Sequence, residues 1–196
     1  MCSTTQANQL KDILNKSSVL HDALILAPKL KLPDWYIAAG VISQTVWNYL
    51  HNFELDAHIK DIDLVYFDKD TSYEGEDRYI KAGEKLFGTK PIEVEIRNQA
   101  RVHMWYKNNH GTTIPAYSST QEAIGSWLTI PTCTGITINN NGKVEIYSPY
   151  GVDDLLNMVV RPNKSRKDLN KTAYQEKTTR WKSVWPKLKI IEWDLA

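Results

Sequence analysis

Asp61 and Asp63 stand two residues apart in segment 59–67 (IKDIDLVYF), which is rich in β-forming residues. On a strand, residues two apart share a face with their Cα atoms about 6.6 Å from one another. Both carboxylates therefore reach one spot, while Ile62, Leu64 and Tyr66 turn the other way toward a core. Two adjacent carboxylates repel, and beneath a surface they are costly unless a cation or a basic side chain neutralises them. Magnesium or manganese, which take oxygen ligands, are the natural partners. A second acidic strand is predicted at 91–96 (PIEVEI), where Glu93 and Glu95 share the face opposite Ile92, Val94 and Ile96. Either can supply a third carboxylate, and Glu95 is preferred because it lies nearer Asn98-Gln99. An isolated Asp-X-Asp describes a turn cap and a solvated acid just as well, so the order of the surrounding elements decides its weight.

Phosphate chemistry has its own candidates. Gly40 lies between the apolar run 35–39 and a predicted helix, so backbone amides at the helix start can approach a phosphate with no side chain in the way. Val41 follows it, and the nearest hydroxyl is Ser43, one helical turn in. The charge distribution is uneven along the chain. Residues 54–84 hold ten acids against four bases, net −6, and residues 161–189 hold ten bases against two acids, net +8. The first segment could hold a cation and the second phosphates, although solvated helix and loop faces account for both equally simply. Lys177 and Arg180, three apart on one helical face, are the bases placed to meet a triphosphate or a nucleic-acid acceptor.

The elements that must position these groups alternate between helix and strand. Leu10, Ile13, Leu14, Leu20 and Leu24 predict one N-terminal helix ending before Pro28 and Pro33. The helix opened by Gly40 has an inner face of Ile42, Val46, Tyr49, Leu50 and Phe53. A third helix starts near Asn98, with Val102, Trp105 and Tyr106 at helical spacing, where Asn98, Gln99, Arg101 and His103 cap the helix or orient the carboxylates. Ser119 and Glu122 read as a capping box for a short helix carrying Ile124 and Trp127. Strands at 136–138 and 144–147 flank an Asn-rich turn ending in Gly142. A helix from Asp153 runs through Val159 and Val160, and the last helix spans about Asp168 to Trp185, with Trp181 and Trp185 forming a core stripe.

Composition narrows the function classes. At 196 residues with 42% hydrophobic content, one domain is expected, with a core at about 35–130 and a C-terminal hairpin and basic helices over 131–190. No apolar run approaches the roughly 20 residues of a membrane span, and residues 1–20 lack a signal-peptide pattern, so a cytoplasmic protein without membrane partners is expected. Two cysteines, Cys2 and Cys133, provide neither a disulfide framework nor a zinc site. The net charge of +1 excludes a globally basic nucleic-acid binder. No P-loop or Gly-X-Ser-X-Gly elbow is present.

A strand, a glycine turn, a helix, an Asp-X-Asp strand and a second acidic strand together resemble the catalytic core of the DNA polymerase beta nucleotidyltransferase superfamily. The chain further resembles the small nucleotidyltransferase-like proteins of that superfamily. The resemblance is carried by Ala38-Ala39-Gly40 with Val46-Trp47-Asn48, Lys60-Asp61-Ile62-Asp63, Asn98-Gln99-Ala100-Arg101-Val102-His103, Pro149-Tyr150-Gly151, Arg161-Pro162-Asn163, Arg180-Trp181 and Trp185-Pro186. It covers nearly all of residues 35–186. It implies an α+β fold, a mixed β-sheet flanked by helices, and metal-dependent transfer of a nucleoside monophosphate from a nucleoside triphosphate. The acceptor, a small molecule, protein or RNA, stays open. Asp61, Asp63 and Glu95 become the catalytic and metal-holding set, and Gly40, Ser43, Lys177 and Arg180 the nucleotide-binding set. The superfamily's usual Gly-Ser is Gly40-Val41 here, so two other readings stand beside the enzyme: a nucleotide-binding or regulatory module without turnover, and a toxin-antitoxin type partner-binding protein.

Overall fold

A computed structural model describes residues 4–88, 92–139, 141–165 and 170–195. Cys2, Pro91 at the head of the second acidic strand, Asn140 of the hairpin turn, and Arg166, Lys167 and Asp168 of the basic segment lie outside the described residues. The N-terminal apolar positions form two helices rather than one, α1 (Thr4–Leu14) and α2 (Ser18–Leu26). Ser17 separates them, its hydroxyl accepting from the Leu20 N–H to cap α2. Pro28 sits inside a 3-10 turn, Ala27–Leu30, at a position where a missing N–H breaks no bond.

Strand β1 (Tyr36–Ala38) feeds α3 (Gly40–His51). Tyr49 and Phe53, expected inside, are 37% and 38% exposed, because Trp47 takes the inward position. Its ring stands edge-on to Trp181 and Trp185, with centroids 5.0 and 5.4 Å away. Strand β2 (Asp61–Tyr66) and strand β3 (Glu93–Asn98) follow the acidic patterns, β3 extending two residues further than expected. Between them runs α4 (Tyr73–Phe87), to which the sequence reading assigned no element. Its signals are present: Ser72 accepts from the Gly75 N–H, Glu74 and Glu76 suit the positive end of the helix dipole, and Gly88 closes the last turn. Gly83 lets α4 close onto β3, since a Cβ there would lie 2.2 Å from Ile96 Cδ1. This crossover makes β2 and β3 parallel.

A 3-10 turn, Gln99–Arg101, precedes α5 (Val102–His110). Ser119 caps α6 (Thr120–Gly125) by accepting from the Glu122 N–H, and the Glu122 carboxylate accepts from the Ser118 N–H rather than that of Ser119. Trp127 lies beyond the end of this helix. The hairpin forms as β4 (Gly135–Ile138) and β5 (Val144–Tyr147). α7 (Asp153–Leu156) is a single turn, and Val159 and Val160 leave it as strand β6, which pairs with β7 (Lys189–Ile190) beyond α8 (Lys171–Val184). Asn170 caps α8. No helix among the described residues is long and apolar enough to cross a membrane.

The main sheet is mixed, in the order β3-β2-β1-β4-β5, and with its flanking helices gives the expected α+β class. Ile62, Leu64, Tyr66 and Ile96 are buried on one face in a cluster with Ile42, Val46 and Phe87 of α3 and α4. The opposite face is covered in part by smaller clusters, one of Ala38, Val65 and Ile124 and another of Val102, Ile114, Tyr117 and Ala123. That gap in the covering is where the acids emerge.

Asn98 joins these parts. Its side-chain nitrogen donates to the carbonyls of Asp68 and Asp70, and its oxygen accepts from the N–H groups of Asp68 and Ala100. Replacing this 1%-exposed residue with alanine removes the partner of four backbone groups, one of them buried and three partly buried. We expect a loss of about 3 kcal/mol, read as a melting temperature lower by about 8 °C in calorimetry.

Candidate active site

Parallel pairing sets Asp61 beside Glu93, Asp63 beside Glu95 and Val65 beside Arg97. Paired side chains on neighbouring strands point to one face, so the four acids form a patch opposite the face packed on α3 and α4. Their surroundings differ sharply. The Asp63 carboxyl is pushed up to about 7, first by burial, then by repulsion from Asp61 and Glu95. Lys177, projecting from α8, is the cation against it. Burial holds its amine below the usual lysine range, although Asp63 and Asp61 draw the proton back. The ammonium lies 5.0 Å above the Trp181 ring.

Two clefts meet at Asp63, Lys177 and Ala39, which line both. The smaller, about 470 Å³, is bordered by Gly40 and Gln44 of α3, by Asp61, and by the basic groups His58, Lys60 and Arg180. The larger, about 870 Å³, is bordered by Glu95, Arg97, Gln99, Trp105, Thr112 and Trp127. The small cleft, with Trp181 and Trp185 also on its wall, can receive an anion over the start of α3, and the large one combines ring faces and neutral polar groups with the charges of Asp63, Glu95, Arg97 and Lys177.

The strained backbone at this junction belongs to Ala39. It has φ 62° and ψ −129°, a combination costly for a residue with a Cβ. Gly40 needs no special dihedral, and a Cβ placed on it would meet only the flexible end of Gln44, 2.9 Å away. Gly40 therefore keeps the helix start open to the cleft, while Ala39 makes the turn.

The structure gathers Asp61, Asp63, Gly40, Lys177 and Arg180 around the small cleft and puts Glu95 beside Asp63 on the large one. Ser43 is not brought there: it is fully buried, and its hydroxyl donates to the Gly40 carbonyl at 3.2 Å. A closed three-carboxylate cage is not formed either. Among the described residues no group of three or more His, Cys, Asp or Glu side chains comes close enough to hold a metal ion. Glu95 instead accepts from the Arg97 guanidinium at 3.3 Å, two residues along the same strand face. Of the two roles expected for Asn98 the structure shows capping: it lies on the opposite face beside Tyr66, away from Glu95, caps the turn Gln99–Arg101 by accepting from the Ala100 N–H, and holds the loop into α4. Arg101 likewise pairs with Glu76 at 2.8 Å. The rest of the acidic segment does not line this site: Asp68 and Asp70 shape the turn before α4, and Asp77 pairs with Lys81.

Sequence reasoning missed Arg97, Lys60, His58 and the cleft-facing role of Trp127. Arg97 was within reach, because it continues the period-two pattern of Glu93 and Glu95. Lys60 and His58 precede the Asp-X-Asp strand in an irregular segment, where no periodicity tells which way a side chain turns.

Residues 26–190 match a family model described as nucleotidyltransferase. A solved structure, described as an NMR structure that reveals a CCA-adding enzyme head domain, is similar to this chain at 28% identity and a TM-score of 0.75. The similarity covers 93% of this chain and 95% of that one. No curated protein matches.

Proposed function

The chain belongs to the nucleotidyltransferase family, and from that premise we propose that it transfers a nucleoside monophosphate from a nucleoside triphosphate to an acceptor hydroxyl, using magnesium or manganese held by Asp61 and Asp63. The observation that carries this reading is Asp63, half-buried beside a second carboxylate at the edge of a cleft lined with bases. The donor set fits a hard divalent cation. It offers carboxylate oxygens on one strand face, and their mutual repulsion is what such a cation relieves. When bound, the ion lowers the charge barrier between an incoming oxygen and the phosphates and steadies the departing pyrophosphate.

The protein's own groups do the rest. The open helix start at Gly40 and the cations Lys60, Lys177 and Arg180 bind and orient the triphosphate in the small cleft. Glu95 lies beside Asp63 on the large cleft, which Lys177 also borders but Lys60 and Arg180 do not, and there it takes the proton of the attacking hydroxyl, with Arg97 fixing its carboxylate. Likeness to a domain of an enzyme that adds CCA supports the same class of reaction.

Thermal unfolding with and without magnesium tests the metal step. Magnesium raises the melting temperature of the native chain by mass action, and an Asp61→Asn/Asp63→Asn double variant loses that increase. Equal metal affinity in the double variant by calorimetry places the ion elsewhere.

A second reading, a nucleotide-binding module without turnover, is favoured by the Glu95–Arg97 pair and by the burial of Ser43. Incubation with α-labelled nucleoside triphosphates, magnesium and a cell extract separates the two. The enzyme transfers label and releases pyrophosphate, whereas the module binds nucleotide and does neither.

A further inference from the structure

We propose that Asn48 is a positioning residue: its buried carboxamide sets the two cationic walls of the small cleft against the start of α3, and so governs how tightly a triphosphate is held there. The inference rests on the triphosphate site of the reading above. Asn48 is 0% exposed and lines neither cleft. It lies just over two turns along α3 from Gly40, about 12 Å at 1.5 Å per residue. Asparagine is a poor helix former, and a buried amide is costly unless its hydrogen bonds are made. Here they are made, and all three leave the helix.

One wall is the segment that leads into β2. The Asn48 side-chain nitrogen donates to the Leu55 carbonyl at 3.0 Å and to the Ala57 carbonyl at 2.7 Å. The Ala57 carbonyl belongs to the peptide that joins it to His58, and His58 has φ 63°, a left-handed backbone uncommon for a residue with a side chain. Such a conformation persists only where its surroundings hold it. Asn48 supplies that hold on the Ala57 side, and the burial of Ile59 in the core supplies it on the other. His58 and Lys60 both border the small cleft, so the point at which the Ala57 carbonyl is pinned decides where they stand.

The other wall is α8. The Asn48 side-chain oxygen accepts from Trp185 Nε1 at 2.7 Å, across 137 positions of sequence. Trp185 ends α8, and Lys177 and Arg180 of the same helix border the small cleft. The packing of Trp181 and Trp185 on Trp47 sets how deeply α8 sits. Apolar packing is non-directional, whereas a hydrogen bond has a preferred length and direction, so the Trp185–Asn48 bond fixes the end of the helix against sliding. His51, one turn further along α3, accepts from the Lys187 N–H at 3.1 Å and ties the chain beyond α8 to the same stretch. One side chain thus gauges the cleft from both sides. The pull of each cation on a phosphate falls with distance, and a misplacement of about 1 Å is enough to be felt.

The test uses the full chain, its Asn48→Asp and Trp185→Phe variants, and Val46→Ala as a control. Asn48→Asp keeps the shape and still accepts from Trp185, but turns a carboxylate toward the Leu55 and Ala57 carbonyls. Trp185→Phe keeps a ring and removes the N–H, leaving the bonds to the loop in place. Val46→Ala opens the same core without touching a hydrogen bond to either wall, and so controls for lost stability. Inorganic tripolyphosphate is titrated by calorimetry with no divalent ion present, and KM and kcat for label transfer are measured with magnesium. Asn48→Asp and Trp185→Phe each weaken tripolyphosphate binding about tenfold, as expected for one charge-assisted contact drawn out of place. Each raises KM by a similar factor with a smaller change in kcat, and Val46→Ala does neither. If Asn48→Asp does not fold, Trp185→Phe decides alone. Native tripolyphosphate affinity in either folded variant overturns the proposal, as does a native chain that does not bind tripolyphosphate. An equal rise of KM in Val46→Ala also overturns it, because the effect is then one of stability. Tripolyphosphate binding that depends on Asn48 and Trp185, with no transfer to any acceptor, supports the positioning role and sinks the transfer reading alone.

Discussion

Replacing Asp63 with asparagine should abolish nucleotidyl transfer and, in the same protein, raise the melting temperature. The two effects have one cause. On the proposed reading the carboxyl is needed charged, as an oxygen ligand, in a position where burial and the neighbouring Asp61 and Glu95 oppose that charge and push it up to about 7. Because this value is above that of the unfolded chain, folding takes up a proton between about pH 4 and 7. Stability is then full below that window and falls as pH rises through it. At pH 8 without divalent ions, Asp63→Asn should therefore be more stable than the native chain, by on the order of 2 kcal/mol or about 5 °C. The difference should close near pH 4. The opposing pull of Lys177 is already included, since Asp63 is raised in spite of it. Calorimetry at the two pH values, with pyrophosphate release measured on the same samples, tests the pair of effects. A variant that is inactive and less stable at pH 8 would mean that Asp63 holds the fold together, and one that is fully active would remove it from the chemistry.

The second large effect separates the two glutamates. Glu95→Gln should lower the rate of transfer by about 10² to 10⁴-fold, the range typical of a lost general base, and Glu93→Gln should leave it within a few-fold. Both side chains leave β3 on the same face, but Glu95 lies beside Asp63 on the wall of the large cleft, and Glu93 lies beside Asp61, exposed and outside both clefts. Arg97→Met should lower the rate as well, by less, because it frees the Glu95 carboxylate to turn without removing it. Single-turnover measurement of pyrophosphate release ranks the three. An inactive Glu93→Gln beside an active Glu95→Gln would reverse the assignment.

The sequence alone determined which residues share a face. Period two placed Asp61 with Asp63 and Glu93 with Glu95, and put Ile62, Leu64 and Ile96 on the buried side. Strand geometry is local, so a pattern of six residues suffices to read it. The glycine turn into a helix, the hairpin at 135–147 and the Ser119 cap were legible for the same reason: each depends on neighbours a few residues away. Helix α4 was legible in principle, since Ser72, Glu74 and Gly88 mark its ends, but its acids drew a reading as a cation site.

Tertiary structure alone decided what those faces meet. That the Asp63 carboxyl is driven up while coupled to Lys177, more than a hundred residues away, follows from the docking of α8 against α3, where Trp181 meets Trp47. That Ser43 is sealed inside α3's packing and that Asn98 serves the fold and not the site are likewise matters of which surfaces close on one another. The physical reason is range: backbone periodicity repeats every two to four residues, whereas desolvation and charge pairing depend on atoms that only the completed packing brings within a few ångströms.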